Sequence, residues 1–323
     1  MNEIGIVGAG AWGTALALLA SRAGHAVSLW ARDPARRAEI ARTRRNGRLP
    51  GATLPPNVAL AHDPSLPRAE ILLLAVPVAH FSAVAETIEP AGRPLVAASK
   101  GMERGTGRLP HEILTAIYPQ SPVAVLAGPN FALEIAAGQP AAAVLAASDP
   151  ALRRWLLGLL SAPAFRVYGN TDPLGAAIGG AAKNVIAIAA GAVIGAGLSE
   201  NARAAVLTRG LAELGRLTTA LGGRLETSFG LSGLSDLVLT ATSEKSRNFR
   251  FGLALGRGAE PAAILTGLEG TTEGVSTAAA LARRAEAAGC EVPIVSLVAR
   301  LLDGRTTLAA AISELLSRPQ RDE

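Results

Sequence analysis

Apolar runs and helically spaced apolar positions alternate through the first half of this 323-residue chain. IGIV at 4–7 is followed by AWGTALALLASRAG, whose apolar residues recur at helical spacing, and then by AVSLW, which ends at Trp30. Further apolar runs are VAL near Val58, ILLLAVP from Ile71, PLVAASKG from Pro94, PVAVLAGP from Pro122, AAAVLAA from Ala141 and FRVYGN from Phe165. Short apolar runs bounded by Gly, Pro and polar residues read as buried strands, and helices between them make a parallel sheet the natural outcome. Ligands of such sheets bind beyond the carboxyl ends of the strands. AVPVAH, ASKGME and AGPNFA all stand at strand ends and are candidate site segments.

Near Pro173 the texture changes. GAAIGGAAKNVIAIAAGAVIGAGL and ARAAVLTRGLAELGRLTTALGG read as long helices, further helical patterns follow Phe249, and no strand period returns. The boundary is expected between Asn170 and Gly180, giving domains 1–175 and 176–323, with Gly179, Ala182 and Ala189 small enough to let helices approach closely. A membrane span is the rival reading of 173–199, whose only charge is Lys183 and whose GAVIG has the GxxxG spacing of membrane helix pairs. Ala and Gly supply little insertion energy, however, and a lysine at a helix centre costs ~2.5–3.5 kcal/mol. A buried helix of a soluble domain, without stable membrane insertion, is the expectation.

GAGAWG, between the first strand and the first helix, has the G-x-G-x-x-G spacing of a dinucleotide turn in the required context. Gly8 permits the tight turn, Gly10 lets the backbone approach a pyrophosphate, and Gly13 allows close packing of helix on strand. The helix N-terminus offers N–H groups and a partial positive charge to phosphate. Past the second strand, Arg32 lies near the position that reads the ribose, where an acid selects NAD and an arginine accommodates the 2′-phosphate of NADP. Asp33, the next residue, leaves both cofactors open.

Composition narrows the remaining choices. The four histidines (25, 62, 80, 111) and the single cysteine, Cys290, show no metal-ligand spacing, and no metal is expected. Net charge is +5 with 3% aromatic residues, scattered rather than striped, which argues against a nucleic-acid platform and suits an anionic small substrate. The start of the chain lacks the pattern of a secretory signal, and a cytoplasmic setting is expected. Lysine occurs only at 100, 183 and 245, so arginine supplies the other 28 of 31 basic side chains. Arginine cannot surrender its proton near neutral pH, whereas a desolvated lysine can serve as acid or base. Lys183, alone in its apolar helix, either snorkels to the surface or does that work. In GLSDLVLTATSEKSRNFRFG, Asp236 follows a turn-like SGLS, and Arg247 beside Asn248 suits a phosphate ester through bidentate hydrogen bonds.

GAGAWGTALA, AVP, ASKGME, AGPNFA, GGAAKNVIAIAAG, ARAAVLTRGLAELGRL and GLSDLVLTATSEKSRNFRFG, in order from Gly5 to about Gly274, together resemble bacterial NAD(P)-dependent glycerol-3-phosphate dehydrogenases. The resemblance implies a Rossmann-like N-terminal domain, an all-α C-terminal domain of the 6-phosphogluconate dehydrogenase type, and a homodimer. It implies interconversion of sn-glycerol 3-phosphate and dihydroxyacetone phosphate with NADP or NAD, supplying phospholipid synthesis. By position, Lys183 matches the proton acceptor, with Lys100 and Asp236 as its catalytic companions. Gly8, Gly10, Ala11, Trp12, Gly13, Arg32, Lys100, Ala132, Arg247, Thr271 and Glu273 match cofactor positions. Lys100, Gly128, Asn130, Lys183, Asn184, Asp236, Ser246, Arg247 and Asn248 match substrate positions. Asn130 stands where the family usually has Ser or Thr, Ser235 replaces Gly, Ala241 replaces Cys, and Phe249 replaces a polar or basic residue. A related β-hydroxyacid dehydrogenase and a non-catalytic dinucleotide-sensing protein are the alternatives.

Overall fold

The computed structural model describes residues 2–66, 68–268 and 270–317. Its chain divides into two compact units, Met1–Lys100 with Arg108–Ala177, and Gly101–Gly107 with Ile178–Glu323. Among the described residues the first unit holds one eight-stranded sheet: β1 (Glu3–Val7), β2 (Ala26–Trp30), β3 (Val58–Ala61), β4 (Ile71–Leu74), β5 (Leu95–Ala97), β6 (Val123–Ala127), β7 (Ala141–Ala146) and β8 (Phe165–Asn170). Its helices are α1 (Ala11–Arg22), α2 (Pro34–Thr43), α3 (Phe81–Ala85), α4 (Pro110–Ile117), α5 (Ala132–Ala136) and α6 (Pro150–Leu160).

The inner strands β4, β5 and β6 are apolar along their whole length because both faces of the sheet are covered there. Ile4, Ile6, Ile71, Leu73 and Val96 pack on one face with Leu16 and Leu19 of α1. Val7, Leu72, Leu74, Leu95 and Ala97 pack on the other with Phe81 and Val84 of α3 and Ile113 of α4. The spatial order is β3-β2-β1-β4-β5-β6-β7-β8, so the direction of winding reverses at β1, the switch point where α/β sheets bind ligands. The glycine turn leaves the sheet there.

The sheet is parallel-rich, as expected, with one antiparallel pairing. β6 and β7 are antiparallel, with Leu126 opposite Leu145, while β7 and β8 are again parallel. Between β6 and β7 the chain forms only the five-residue α5, and Gly138 at φ +74° turns it straight back.

The second unit is helical: α7 (Pro173–Gly195), α8 (Glu200–Ala220), α9 (Leu225–Ser228), a π-helical segment (Leu231–Ser235), α10 (Asp236–Ala241), α11 (Arg247–Gly256), α12 (Pro261–Gly267), α13 (Glu273–Ala287), α14 (Pro293–Leu302) and α15 (Leu308–Leu316). The expected turn at SGLS is thus a π-helical run that leads directly into α10. The segment Gly101–Gly107, inside the span expected for the first domain, groups with the helices: the Met102 N–H donates to Thr277 Oγ1 at 3.2 Å, and Arg284 donates to the Gly107 carbonyl at 3.1 Å.

Among the described residues, α7 is the one helix long and apolar enough to cross a membrane, and 89% of its most apolar window is buried inside the protein. Its GxxxG face meets a second one on α11. A Cβ on Gly191 or Gly195 would lie 2.2 Å from the Phe249 carbonyl oxygen or 2.1 Å from that of Leu253. Reciprocally, a Cβ on Gly252 or Gly256 would lie 2.0 Å from the Ile188 oxygen or 2.2 Å from that of Ala192. Such backbone contact, favoured by weak Cα–H···O bonds, leaves no room for any side chain. Elsewhere in this unit buried Glu213 of α8 caps α14, accepting from Ile294 N–H at 2.6 Å and Val295 N–H at 3.1 Å.

Candidate active site

In the first unit the site begins with the turn after β1. The Gly8 N–H donates to the Trp30 carbonyl at 2.9 Å, and Gly8 has φ +114° with the Ala75 carbonyl oxygen 2.5 Å from where a Cβ would stand. A Cβ on Gly13 would lie 1.8 Å from the Gly8 oxygen, so α1 packs hard against the turn. Gly10, the N-cap of α1, has open space instead: nothing lies within 4 Å of its Cβ position. No side chain caps α1 and no acid stands in its first turn. The turn is therefore a cradle of backbone donors that favours anions, fitting a dinucleotide pyrophosphate. Beside it, the buried Trp12 Nε1 has no hydrogen-bond partner among the described residues. Buried Asn46, which the sequence pattern did not single out, braces the turn from below, donating to the Ala9 carbonyl at 3.0 Å and to Thr14 Oγ1 at 2.7 Å.

Arg32 and Asp33 separate cleanly. Asp33 caps α2, accepting from the Ala35 N–H at 2.9 Å and the Arg36 N–H at 3.4 Å, while Arg32 is exposed. Asp33 is thus committed to the fold.

The strand-end loops of the same unit carry Lys100, Gly128, Asn130 and Ala132. Lys100 Nζ donates to the Gly128 carbonyl at 2.6 Å, joining ASKG to AGPNFA. Gly128 itself has φ +123° and the Ala143 Cα 3.0 Å from its Cβ position. Ser99 Oγ accepts from the Val76 N–H at 3.1 Å and donates to the Val76 carbonyl at 2.6 Å, tying ASKG to AVP. Asn130 Nδ2 donates to the Ala142 carbonyl at 3.2 Å, which leaves its buried Oδ1 without a hydrogen-bond partner among the described residues. Ala132 opens α5.

In the second unit a buried lysine amine meets a buried carboxylate. Lys183 is only 8% exposed, and its Nζ lies 2.9 Å from Asp236 Oδ1 and 2.7 Å from Thr240 Oγ1. Asp236 and Thr240 are 1% and 3% exposed, one turn apart on α10 with Oγ1 and Oδ1 3.4 Å apart. The snorkelling reading of Lys183 is excluded by this burial. Thr240 escaped the sequence reading; the D-x-x-x-T spacing, which places both side chains on one helix face, was the available signal. The neighbouring Asn184 accepts from Asn248 Nδ2 at 2.8 Å, and Asn248 Oδ1 accepts from the Gly274 N–H at 3.0 Å. Ser246 is the N-cap of α11, its Oγ accepting from the Phe249 N–H at 3.2 Å. Arg247 follows at the first position of that helix, and a Cβ on Gly270 would lie 2.3 Å from its Nη1. Thr271 is half-buried, and Glu273 opens α13.

Two family models match the chain: the N-terminus of NAD-dependent glycerol-3-phosphate dehydrogenase over residues 3–153 and its C-terminus over residues 172–313. The chain belongs to this family. A glycerol-3-phosphate dehydrogenase [NAD(P)+] of Acidiphilium cryptum (strain JF-5) is 54% identical over 321 residues, covering 99% of this chain and 98% of the relative. One of Rhodospirillum rubrum is 47% identical over 329 residues, covering 100% of this chain and 94% of the relative. The 2.1 Å crystal structure of glycerol-3-phosphate dehydrogenase from Coxiella burnetii matches with a TM-score of 0.92 at 37% identity, covering 98% of this chain and 99% of that one. The Rossmann-like first unit and helical second unit are the architecture of this glycerol-3-phosphate dehydrogenase family.

Proposed function

We propose that this chain interconverts sn-glycerol 3-phosphate and dihydroxyacetone phosphate using NADP or NAD, with Lys183 as its acid and base. The observation that carries the reading is the buried Lys183 amine held between Asp236 and Thr240. Hydride acceptance and donation at C2 is the chemistry a bound nicotinamide supplies. Gly8, Gly10, Ala11, Trp12 and Gly13 would hold its pyrophosphate, with Arg32, Lys100, Ala132, Arg247, Thr271 and Glu273 completing the cofactor contacts.

In the oxidative direction neutral Lys183 Nζ takes the C2 hydroxyl proton as the carbonyl forms. The Asp236 carboxylate stabilises the ammonium that results, and Thr240 fixes the amine between them. In reduction the same ammonium stabilises developing negative charge on the C2 oxygen and then returns the proton. Arg247 and Asn248 would bind the phosphate, the guanidinium as a fork of donors. Lys100, Gly128, Asn130, Asn184 and Ser246 would orient the rest of the substrate. The unpartnered Asn130 Oδ1 supports a contact with a substrate hydroxyl, replacing the hydroxyl side chain usual at this position.

A substrate panel tests the reading: dihydroxyacetone phosphate, unphosphorylated dihydroxyacetone and β-keto carboxylates, each with NADPH and with NADH. Turnover far faster with the phosphate ester than with unphosphorylated dihydroxyacetone is expected, and preference for a carboxylate would overturn the reading. Exposed Arg32, with Asp33 committed to capping, supports good use of NADPH. A cytoplasmic homodimer without membrane insertion completes the proposal; burial of α7 supports the last point, and light scattering and cell fractionation test the others.

A further inference from the structure

We infer that Gly179 is a positioning residue for the reaction, setting the separation of Lys183 and Asp236 from one helical turn away. The inference rests on the assignment of Lys183 as the base. Gly179 and Lys183 are four residues apart on α7, so they share a face. Ser232, Asp236 and Thr240 follow one another at the same interval along the π-helical segment and α10. The two segments thus meet at successive levels. At the first, a Cβ on Gly179 would stand 2.4 Å from the Ser232 carbonyl oxygen and 3.3 Å from the Gly233 Cα. At the next, Lys183 meets Asp236 at 2.9 Å and Thr240 at 2.7 Å.

The π-helical segment makes this approach possible. The Ser235 N–H reaches back to the Gly230 carbonyl at 3.3 Å, a wider turn than an α-helix makes. Gly233 is packed so tightly within it that a Cβ there would lie 2.0 Å from the Ser228 oxygen. Both neighbours of Gly179 are therefore backbone, which cannot rotate aside as a side chain can. Any side chain at 179 must push α7 and the π-helical segment apart by several tenths of an ångström, and the shift is transmitted to the Lys183–Asp236 level. Misplacing a reacting group by ~1 Å can cost about 10²-fold.

A double-mutant cycle tests the inference, with kcat for glycerol 3-phosphate oxidation at saturating dinucleotide measured in the unaltered protein, Gly179→Ala, Lys183→Ala and the double variant. In the unaltered background Gly179→Ala should lower kcat by ~10- to 100-fold while dinucleotide KM and far-ultraviolet circular dichroism hold. In the Lys183→Ala background the same change should alter kcat by less than about threefold, because the amine it aligns is gone. A merely structural glycine would cost the same in both backgrounds, and that result overturns the inference, as does full activity of Gly179→Ala. Near-normal turnover by Lys183→Ala would instead remove the base assignment and the inference with it. Should Gly179→Ala fail to fold, Gly233→Ala, which strains the π-helical segment from its other side, takes its place in the cycle with the same two outcomes.

Discussion

In the first unit Gly10 stands at the head of α1 with open space where a Cβ would go, whereas in the second unit Gly191, Gly195, Gly252 and Gly256 each have a carbonyl oxygen within 2.2 Å of that point. The same residue type leaves room for a ligand in one unit and for another stretch of this chain in the other. At the head of α1 no side chain among the described residues caps the backbone donors, and no acid stands in the first turn. Along α7 and α11 the missing side chains let two helices touch, and four of the candidate site residues ride on those helices. Lys183 and Asn184 lie between Gly179 and Gly191 on α7, and Arg247 and Asn248 precede Gly252 on α11. A 2.8 Å hydrogen bond between Asn184 and Asn248 joins the same two helices. The open position at Gly10 and the close backbone contacts along α7 and α11 are opposite uses of the same missing side chain.

If the second unit's glycines serve its chemistry, the largest effect must come from the amine they fix. Lys183→Arg keeps the positive charge but cannot accept a proton at working pH. It should lower the oxidation rate by ~10²- to 10⁴-fold, the usual contribution of general acid–base catalysis. Steady-state kinetics check this once dinucleotide affinity is shown to be unchanged. A fully active variant would reduce the role of Lys183 to charge alone. Next in size, Arg247→Ala should raise KM for dihydroxyacetone phosphate at least tenfold, since a hydrogen bond to a charged group contributes ~1.5–3 kcal/mol. Unphosphorylated dihydroxyacetone should hardly register the change.

The helix contact itself is tested by Gly252→Ala. Its Cβ would meet the Ile188 carbonyl oxygen at 2.0 Å, so the helices must separate or shift. Overpacking of this kind costs ~1–3 kcal/mol, to be read as a lower urea midpoint at unchanged slope. Unchanged stability would mean that the α7–α11 contact is looser than its geometry indicates.

The residues differ in how much of this was legible beforehand. The inner strands were marked by apolar runs, because a sheet covered on both faces imposes the same demand on every position there. The glycine turn was readable because its three positions act within one short segment. The antiparallel β6–β7 pairing was not, since apolar runs carry no direction. Lys183 stood out by its isolation in an apolar helix, yet its partner Thr240 did not, because a threonine in an amphipathic stretch has many uses. GAVIG on α7 was visible as a spacing, but its partner GLALG on α11 lies nearly sixty residues away, and nothing in either says that they meet. The π-helical segment was read as a turn for a related reason: the backbones crowded against Gly179 and Gly233 belong to its tertiary surroundings, which the local sequence does not display.

Gly10→Ala reverses the logic of Gly252→Ala and should change the fold least of all. Gly10 has φ −76° and ψ −177°, a conformation any residue adopts, and its Cβ position is empty. Removing glycine's freedom in the unfolded chain should stabilise the protein by ~0.4–1 kcal/mol. Against this, alanine is a poorer N-cap than glycine, by an amount of similar size, about 0.5–1 kcal/mol. The two nearly cancel, so the melting temperature of the unliganded protein should move by no more than a degree or two. Dinucleotide affinity should nonetheless fall by about tenfold, or ~1.4 kcal/mol, because the methyl group occupies the space through which the backbone reaches the pyrophosphate. Thermal melts without ligand and fluorescence titration with NADPH give the two numbers independently. A clear loss of stability in Gly10→Ala with unaltered affinity would place Gly10 with the packing glycines of the second unit and erase the contrast between the two.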